Sequence, residues 1–383
     1  MKTYYLDNAA TSFPKAPGVG DAVSAYLREN GTNVNRGSYQ RATDAALCVL
    51  HTRELLAKLF HYKGRPNGVI FTPGATWGLN QILRGYLKSG DHVVVSSLEH
   101  NAVMRPLTAL EKMGVSFSRI PADRQGISDP ASILPLLRPN TRLVMLSHAS
   151  NVSGTIFPLE EAARICRERS IPLAVDAAQS AGHIPVDFDA LGLAALCVPA
   201  HKGLLGPQGL GAMLLEENFA KRLVPLISGG TGSVSDSESQ PDYLPDKFES
   251  GTMNLPGIFG LHASLTYLFD RGLPALRAHE IALSERFLHG IEGLPLRVAG
   301  PIDSALRVGV ISLDLANIDN ALASDRLESE FGVLTRCGLH CAPNAPKTLG
   351  TFPQGTVRFS IGYSTDEAEV DHALEALRAI CAS

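Results

Sequence analysis

Six short apolar runs, at residues 68–72, 92–98, 142–147, 172–176, 193–198 and 210–215, recur between stretches with helical periodicity. Continuous apolar strands of this length must be buried on both faces, and alternation with helices supplies the cover. An α/β fold follows, with a mostly parallel sheet between helical layers. Between the runs, Ala46, Val49, Leu50, Leu56, Leu59 and Phe60 share about one face of a helix predicted over 42–60, so they belong to the core. Residues 228–251 interrupt the rhythm with a Gly/Ser/Asp/Pro-rich stretch, longer than a connector usually is and hence mobile or functional. Beyond about 255 the pattern predicts helices over 256–271 and 274–290, a strand over 307–314 and a closing helix. That last helix opens at Ser364-Thr365-Asp366-Glu367 and carries Val370, Ala373, Leu374, Leu377 and Cys381 on one stripe. The expected division is a large domain over 16–255 and a smaller one from 1–15 with 256–383.

The bulk properties narrow the class further. A net charge of -4 offers no basic surface for nucleic acid or anionic membrane, so small molecules and proteins are the expected partners. The first residues lack a signal-peptide core and no window approaches the roughly 20 apolar residues of a membrane span, which predicts a soluble cytoplasmic protein. None of the six cysteines forms a Cys-x-x-Cys pair, so reduced thiols are expected and a metal site is not.

In a parallel sheet, ligands bind beyond the carboxyl ends of the strands, which directs attention to polar residues just after each apolar run. Lys202 lies in Ala200-His201-Lys202-Gly203-Leu204-Leu205-Gly206-Pro207-Gln208-Gly209, and Asp176 ends the run at 172–176. Lysine is usually a solvated surface residue and Asp before a turn often caps a helix. The glycine-rich turn around Lys202 instead suggests a buried amine with a depressed pKa, suited to a Schiff base. A lysine and an acid so placed are what a pyridoxal-phosphate enzyme requires, the acid keeping the pyridine nitrogen protonated. Thr76 follows Pro73-Gly74-Ala75 at a helix start where free amides favour a phosphate, or it is an ordinary cap. His100, Asn101, Ser150 and Asn151 also follow strand ends, where each could equally be a satisfied loop residue.

Taken together, these residues resemble the class V aminotransferase fold, and within it the cysteine desulfurases and selenocysteine lyases of the second, short-loop type. The matching pieces are Tyr5-Leu6-Asp7-Asn8-Ala9-Ala10-Thr11, 33–37, Gly74-Ala75-Thr76, Glu99-His100-Asn101, Ser150-Asn151-Val152-Ser153-Gly154-Thr155, Asp176-Ala177-Ala178-Gln179, His201-Lys202, Phe248-Glu249-Ser250-Gly251-Thr252, 336–343 and Val357-Arg358. The resemblance implies a fold-type I transferase binding pyridoxal 5'-phosphate. In that family Lys202 would carry the cofactor and move the substrate α-proton, Asp176 would pair with the pyridinium nitrogen, and Gln179 would bond the ring hydroxyl. His100 would stack on the ring, with Ala75, Thr76, Asn151 and His201 around the cofactor. Thr252 would reach the phosphate from a second subunit, making a homodimer with shared sites. Arg358 would clamp the substrate carboxylate, with Arg36, Ala9 and Asn151 nearby.

Cys341 bears on the reaction type. The run Arg336-Cys337-Gly338-Leu339-His340-Cys341-Ala342-Pro343 resembles the desulfurase pattern in which the last cysteine takes sulfur from L-cysteine as a persulfide, leaving L-alanine and passing sulfur to an acceptor protein. The alternatives are a selenocysteine lyase acting on L-selenocysteine, or another class V aminotransferase or lyase in which Cys341 is a small buried residue. His340 and Arg336 are candidates to assist the thiol. The chain departs from the family at Pro199, where a hydroxyl is usual, and at Ala75 and Leu339.

Overall fold

The computed structural model describes residues 2–34, 37–234 and 236–382. After β1 (Tyr4–Tyr5), α1 (Val19–Ala25) and α2 (Gln40–Leu59), the chain alternates through β2 (Val69–Thr72), α3 (Ala75–Tyr86), β3 (His92–Ser96), α4 (Asn101–Glu111), β4 (Ser116–Ile120), β5 (Thr141–Ser147), α5 (Leu159–Glu168), β6 (Leu173–Asp176), α6 (Phe188–Leu191), β7 (Ala195–Pro199), β8 (Gly211–Leu215) and α7 (Glu217–Arg222). Strands β2 to β8 form one seven-stranded sheet in the order β2-β8-β7-β6-β5-β3-β4. The strands from β7 through β6, β5 and β3 to β4 are parallel neighbours, while β8 runs antiparallel to both β7 and β2. The physical reason is the connection: residues 200–210 contain no helix to carry the chain across, so β8 turns back beside β7. That turn holds Lys202.

The rest comprises α8 (Leu255–Arg271), α9 (Leu273–Gly290), β9 (Leu296–Val298), β10 (Val310–Leu315), α10 (Asn320–Phe331), β11 (Val333–Leu334), β12 (Arg336–Gly338), α11 (Ala345–Leu349), β13 (Thr356–Ser360) and α12 (Glu367–Ala382). An antiparallel sheet, β12-β13-β10-β9, packs under α9, α10 and α12 through Phe287, Ile311, Leu327, Phe359 and Leu377. Helix α8 lies past the expected boundary at 256, yet Leu255, Ile258, Leu261 and Leu265 share a core with Val19, Val49 and Leu56 of the large layer. The N-terminal strand goes the other way: β1 pairs with β11 and Leu6 enters the small core. The closing helix begins as a reciprocal cap, Glu369 N–H donating to Asp366 and Asp366 N–H to Glu369, so Asp366 is the cap residue.

Among the described residues, no helix is long and apolar enough to cross a membrane.

Candidate active site

A cavity of about 860 Å³ opens at the carboxyl ends of the parallel strands, where the sheet topology predicts a ligand. Lys202, Asp176, Gln179, His100, Thr76, Ala75, Asn151 and His201 all line it. Each sits at a strand tip or the turn after it. Ala75 and Thr76 open α3; Gly74 O takes the amides of Trp77 and Gly78, while those of Ala75 and Thr76 precede any intrahelical carbonyl and suit an anion.

The electrostatics favour a reactive amine. Lys202 is half-buried, and desolvation holds its amine at about 8, opposed by the carboxylate of Asp176 and aided by Arg358 and Arg336. Asp176 is buried and holds its proton more tightly than a free carboxyl, although Ala178 N–H donates to its Oδ1 at 2.9 Å and Lys202 attracts its charge. His100 is the N-cap of α4: its Nδ1 accepts from Ala102 N–H at 3.0 Å, leaving the ring proton on Nε2. Burial, then the charges of Lys202, Arg336, Arg105 and Arg358, press its pKa down to about 4, so the ring is neutral at ordinary pH. His201 is likewise held at about 4, and its Nδ1 is buried without a partner. Gln179 donates to Ala9 O at 3.0 Å, so Ala9 supports the site through its backbone and does not line the cavity.

Arg358 also stands behind the lining. On β13 and 1% exposed, it donates to Asn151 O at 3.1 Å and to Asp7 Oδ1 at 2.6 Å, while its Nε has no partner. Asp7 is therefore a site residue that pattern reading missed, since its partner lies at the far end of the chain. Cys341 is exposed and lies outside the lining. Its backbone, like that of His340, is left-handed, with φ of 59 and 52, which non-glycine residues seldom adopt. The loop is fastened at both residues: Asn101 N–H donates to Cys341 O at 2.8 Å and the Asn151 amide to His340 O.

Of the two expected helpers, Arg336 is in place, its NH2 donating to Cys341 Sγ at 3.4 Å. His340 is not: its Nε2 faces Thr356, and its Nδ1 is buried without a partner. Cys337 is turned away too. Arg336 pairs with Arg358 across the β12–β13 ladder, so the next residue, paired with Val357, projects from the opposite face. Among the described residues, no group of three or more His, Cys, Asp or Glu could hold a metal ion. Thr252 is exposed and borders neighbouring surface pockets instead of this cavity, and Arg36 lies outside the described residues. Pro199 lines the cavity and brings neither a hydroxyl nor an N–H.

The fold is that of the fold-type I transferases. The sequence profile of the aminotransferase class-V family matches residues 4–373, and the chain belongs to that family. It is 33% identical to a probable cysteine desulfurase of Methanothermobacter thermautotrophicus, over 98% of this chain and 94% of that one. The solved apo structure of a cysteine desulfurase from Thermococcus onnurineus superposes with a TM-score of 0.92 at 29% identity, covering 99% of this chain and 95% of that one. CsdA, a cysteine desulfurase of Escherichia coli, gives 0.86 at 26% identity, covering 98% and 94%.

Proposed function

We propose that this protein is a pyridoxal-phosphate-dependent cysteine desulfurase, working as a homodimer, that moves sulfur from L-cysteine to Cys341 and then to an acceptor protein. The observation that carries the reading is the amine of Lys202 held near 8 beside Asp176 in a cavity whose rim is bolted to the loop of Cys341. The residues fit the cofactor. The open amides at Ala75 and Thr76 and the unpartnered Nδ1 of His201 suit its phosphate, the neutral ring of His100 suits stacking, and Gln179 and Asp176 suit the ring edge. When bound, the group withdraws electrons from the substrate α-carbon.

The chain's own residues divide the remaining work. Arg358, with Asn151 at its side, binds the substrate carboxylate. Lys202 takes the α-proton and returns it, a task suited to an amine titrating near neutral pH. Arg336 orients Sγ of Cys341. That sulfur attacks the sulfur of the substrate: an S–S bond forms, the substrate C–S bond breaks with its electron pair left on the β-carbon, and a proton completes L-alanine. Dimerisation is supported by the position of Thr252 outside the cavity of its own chain and by exposed Leu226 and Ile227 at the cavity's edge.

The test is product analysis with L-cysteine and L-selenocysteine, in wild type and Cys341→Ala. Alanine from cysteine that nearly vanishes in Cys341→Ala is the expected result. Equal alanine and sulfide from wild type and variant would remove Cys341 from the mechanism, and turnover of selenocysteine alone would make the protein a selenocysteine lyase.

A further inference from the structure

One buried carboxylate beside the cavity has no part in the reaction described. Glu99 follows β3, next to His100, and is 1% exposed. Its Oε1 accepts from Ser96 N–H at 3.3 Å, Ser96 Oγ at 2.7 Å and Ser147 N–H at 2.8 Å; its Oε2 accepts from Ser147 Oγ at 2.7 Å. Both serines end their strands, β3 and β5, and Ser147 is the register partner of Asp176 on β6. A line of contacts thus runs from Glu99 through Ser147 to Asp176. No basic side chain pairs with Glu99 among the described residues; all its donors are neutral.

We propose that Glu99 is a positioning residue that ties the tips of β3 and β5 into one shelf and, by its charge, sets the potential at Asp176. The inference rests on the reading of the cavity as a pyridoxal-phosphate site. A carboxylate stripped of water holds its proton tightly, and burial pushes Glu99 up to about 7, with the serine donors opposing and the charge of Asp176 adding to it. Among the surrounding groups, Lys202 lies beyond Asp176, while His100 on the same turn and His148 after β5 are both held neutral by burial, at about 4. The charge felt by Asp176 from this side is therefore that of Glu99, and it appears as pH rises through about 7. An added anion strengthens the hold on protons at nearby sites.

The experiment uses the holoprotein and Glu99→Gln. Glutamine keeps the size: its oxygen can accept from the Ser96 and Ser147 amides and its nitrogen can donate to Ser147 Oγ. The readouts are the visible absorbance of the lysine-bound cofactor against pH and the pH profile of kcat/KM. The expected result is a step near 7 in wild type that Glu99→Gln loses, with the absorbance midpoint lower by about half a pH unit, roughly threefold in the proton equilibrium. Ser96→Ala removes one donor to the carboxylate and should move the step to higher pH, which keeps the test open if Glu99→Gln does not fold. A lower melting temperature with both titrations unchanged in Glu99→Gln would reduce the residue to a structural tie and overturn the inference, as would an unmoved step in Ser96→Ala. Wild type with no visible band in the presence of pyridoxal phosphate would sink the underlying reading and this inference with it, whereas a normal band with unchanged titrations sinks this inference alone.

Discussion

The pair Arg53–Glu249 is the sharpest test of how the 228–251 segment is held. Arg53 of α2 meets Glu249 in a fork, NH1 to Oε1 at 2.8 Å and NH2 to Oε2 at 2.6 Å, with both side chains 6% exposed. Glu249 Oε1 also accepts from Phe71 N–H at 2.7 Å, filling an amide on the edge strand β2, and the guanidinium stacks 4.6 Å over the Phe71 ring. Glu249→Ala leaves a buried cation with only the Val69 carbonyl, to which Arg53 also donates, and a β2 amide without its partner, which costs about 3–5 kcal/mol. Arg53→Ala strands the carboxylate and should cost about as much. Replacing both with apolar side chains, Arg53→Met with Glu249→Leu, leaves no orphaned charge and should lie within about 2 kcal/mol of wild type. Denaturant unfolding at fixed cofactor concentration, run as a double-mutant cycle on the alanine variants, should give a coupling of about 2–3 kcal/mol. Coupling below about 0.5 kcal/mol, or a single-variant loss under about 1 kcal/mol, would refute the argument that this pair is the anchor. Because Thr252 follows three residues later, the alanine variants should also hold the cofactor less tightly, as read by equilibrium titration.

Two further outcomes follow from the charges at the site. The neutral form of Lys202 is the one that captures a carbonyl, and an amine held at about 8 is half neutral there; capture of pyridoxal phosphate by cofactor-free protein should accelerate as pH rises through about 8 and then level off, and a rate still climbing toward 10.5 by stopped-flow absorbance would contradict this. Asp7→Asn removes the anion that orients Arg358, so KM for the amino acid should rise roughly tenfold with kcat little changed, and an unchanged KM would show that Asn151 alone holds the guanidinium.

The residues that meet the cavity were legible because strand tips are. An apolar run marks a buried strand, its end marks the ligand side of a parallel sheet, and a polar residue at that end is conspicuous: Asp176, His100, Asn151 and Thr76 were all found this way. Strands β4 and β9 were not marked by apolar runs. Strand β4 is an edge with Ser116, Phe117 and Ser118 only partly covered and Arg119 exposed, so burial never imposed a continuous apolar pattern on it. The capping sequence at residues 364–367 marks the start of the closing helix, but the reciprocal cap is shifted by two residues, to Asp366 and Glu369.

What stayed hidden is the layer of charge behind the lining, and the cause is separation along the chain. Asp7 and Arg358 are 351 residues apart, Arg53 and Glu249 196, and Glu99 reaches Ser147 across 48. No local period connects such pairs: the motif names Arg358 but not the carboxylate of Asp7 that holds it, and Arg53 alone reads as an ordinary surface charge. Yet these pairs govern the groups that were found. Arg358 sits behind Asn151, where Asp7 holds its guanidinium, and the charge of Asp176 is drawn on by Lys202 while it adds to the proton affinity of Glu99. Lys202 in turn is shifted by burial first, and then by Asp176, Arg358 and Arg336, none of which is closer to it than 26 residues in sequence. A motif can therefore nominate the lysine, but its proton affinity is a property of the assembled fold, and it is that affinity which makes the amine usable near neutral pH.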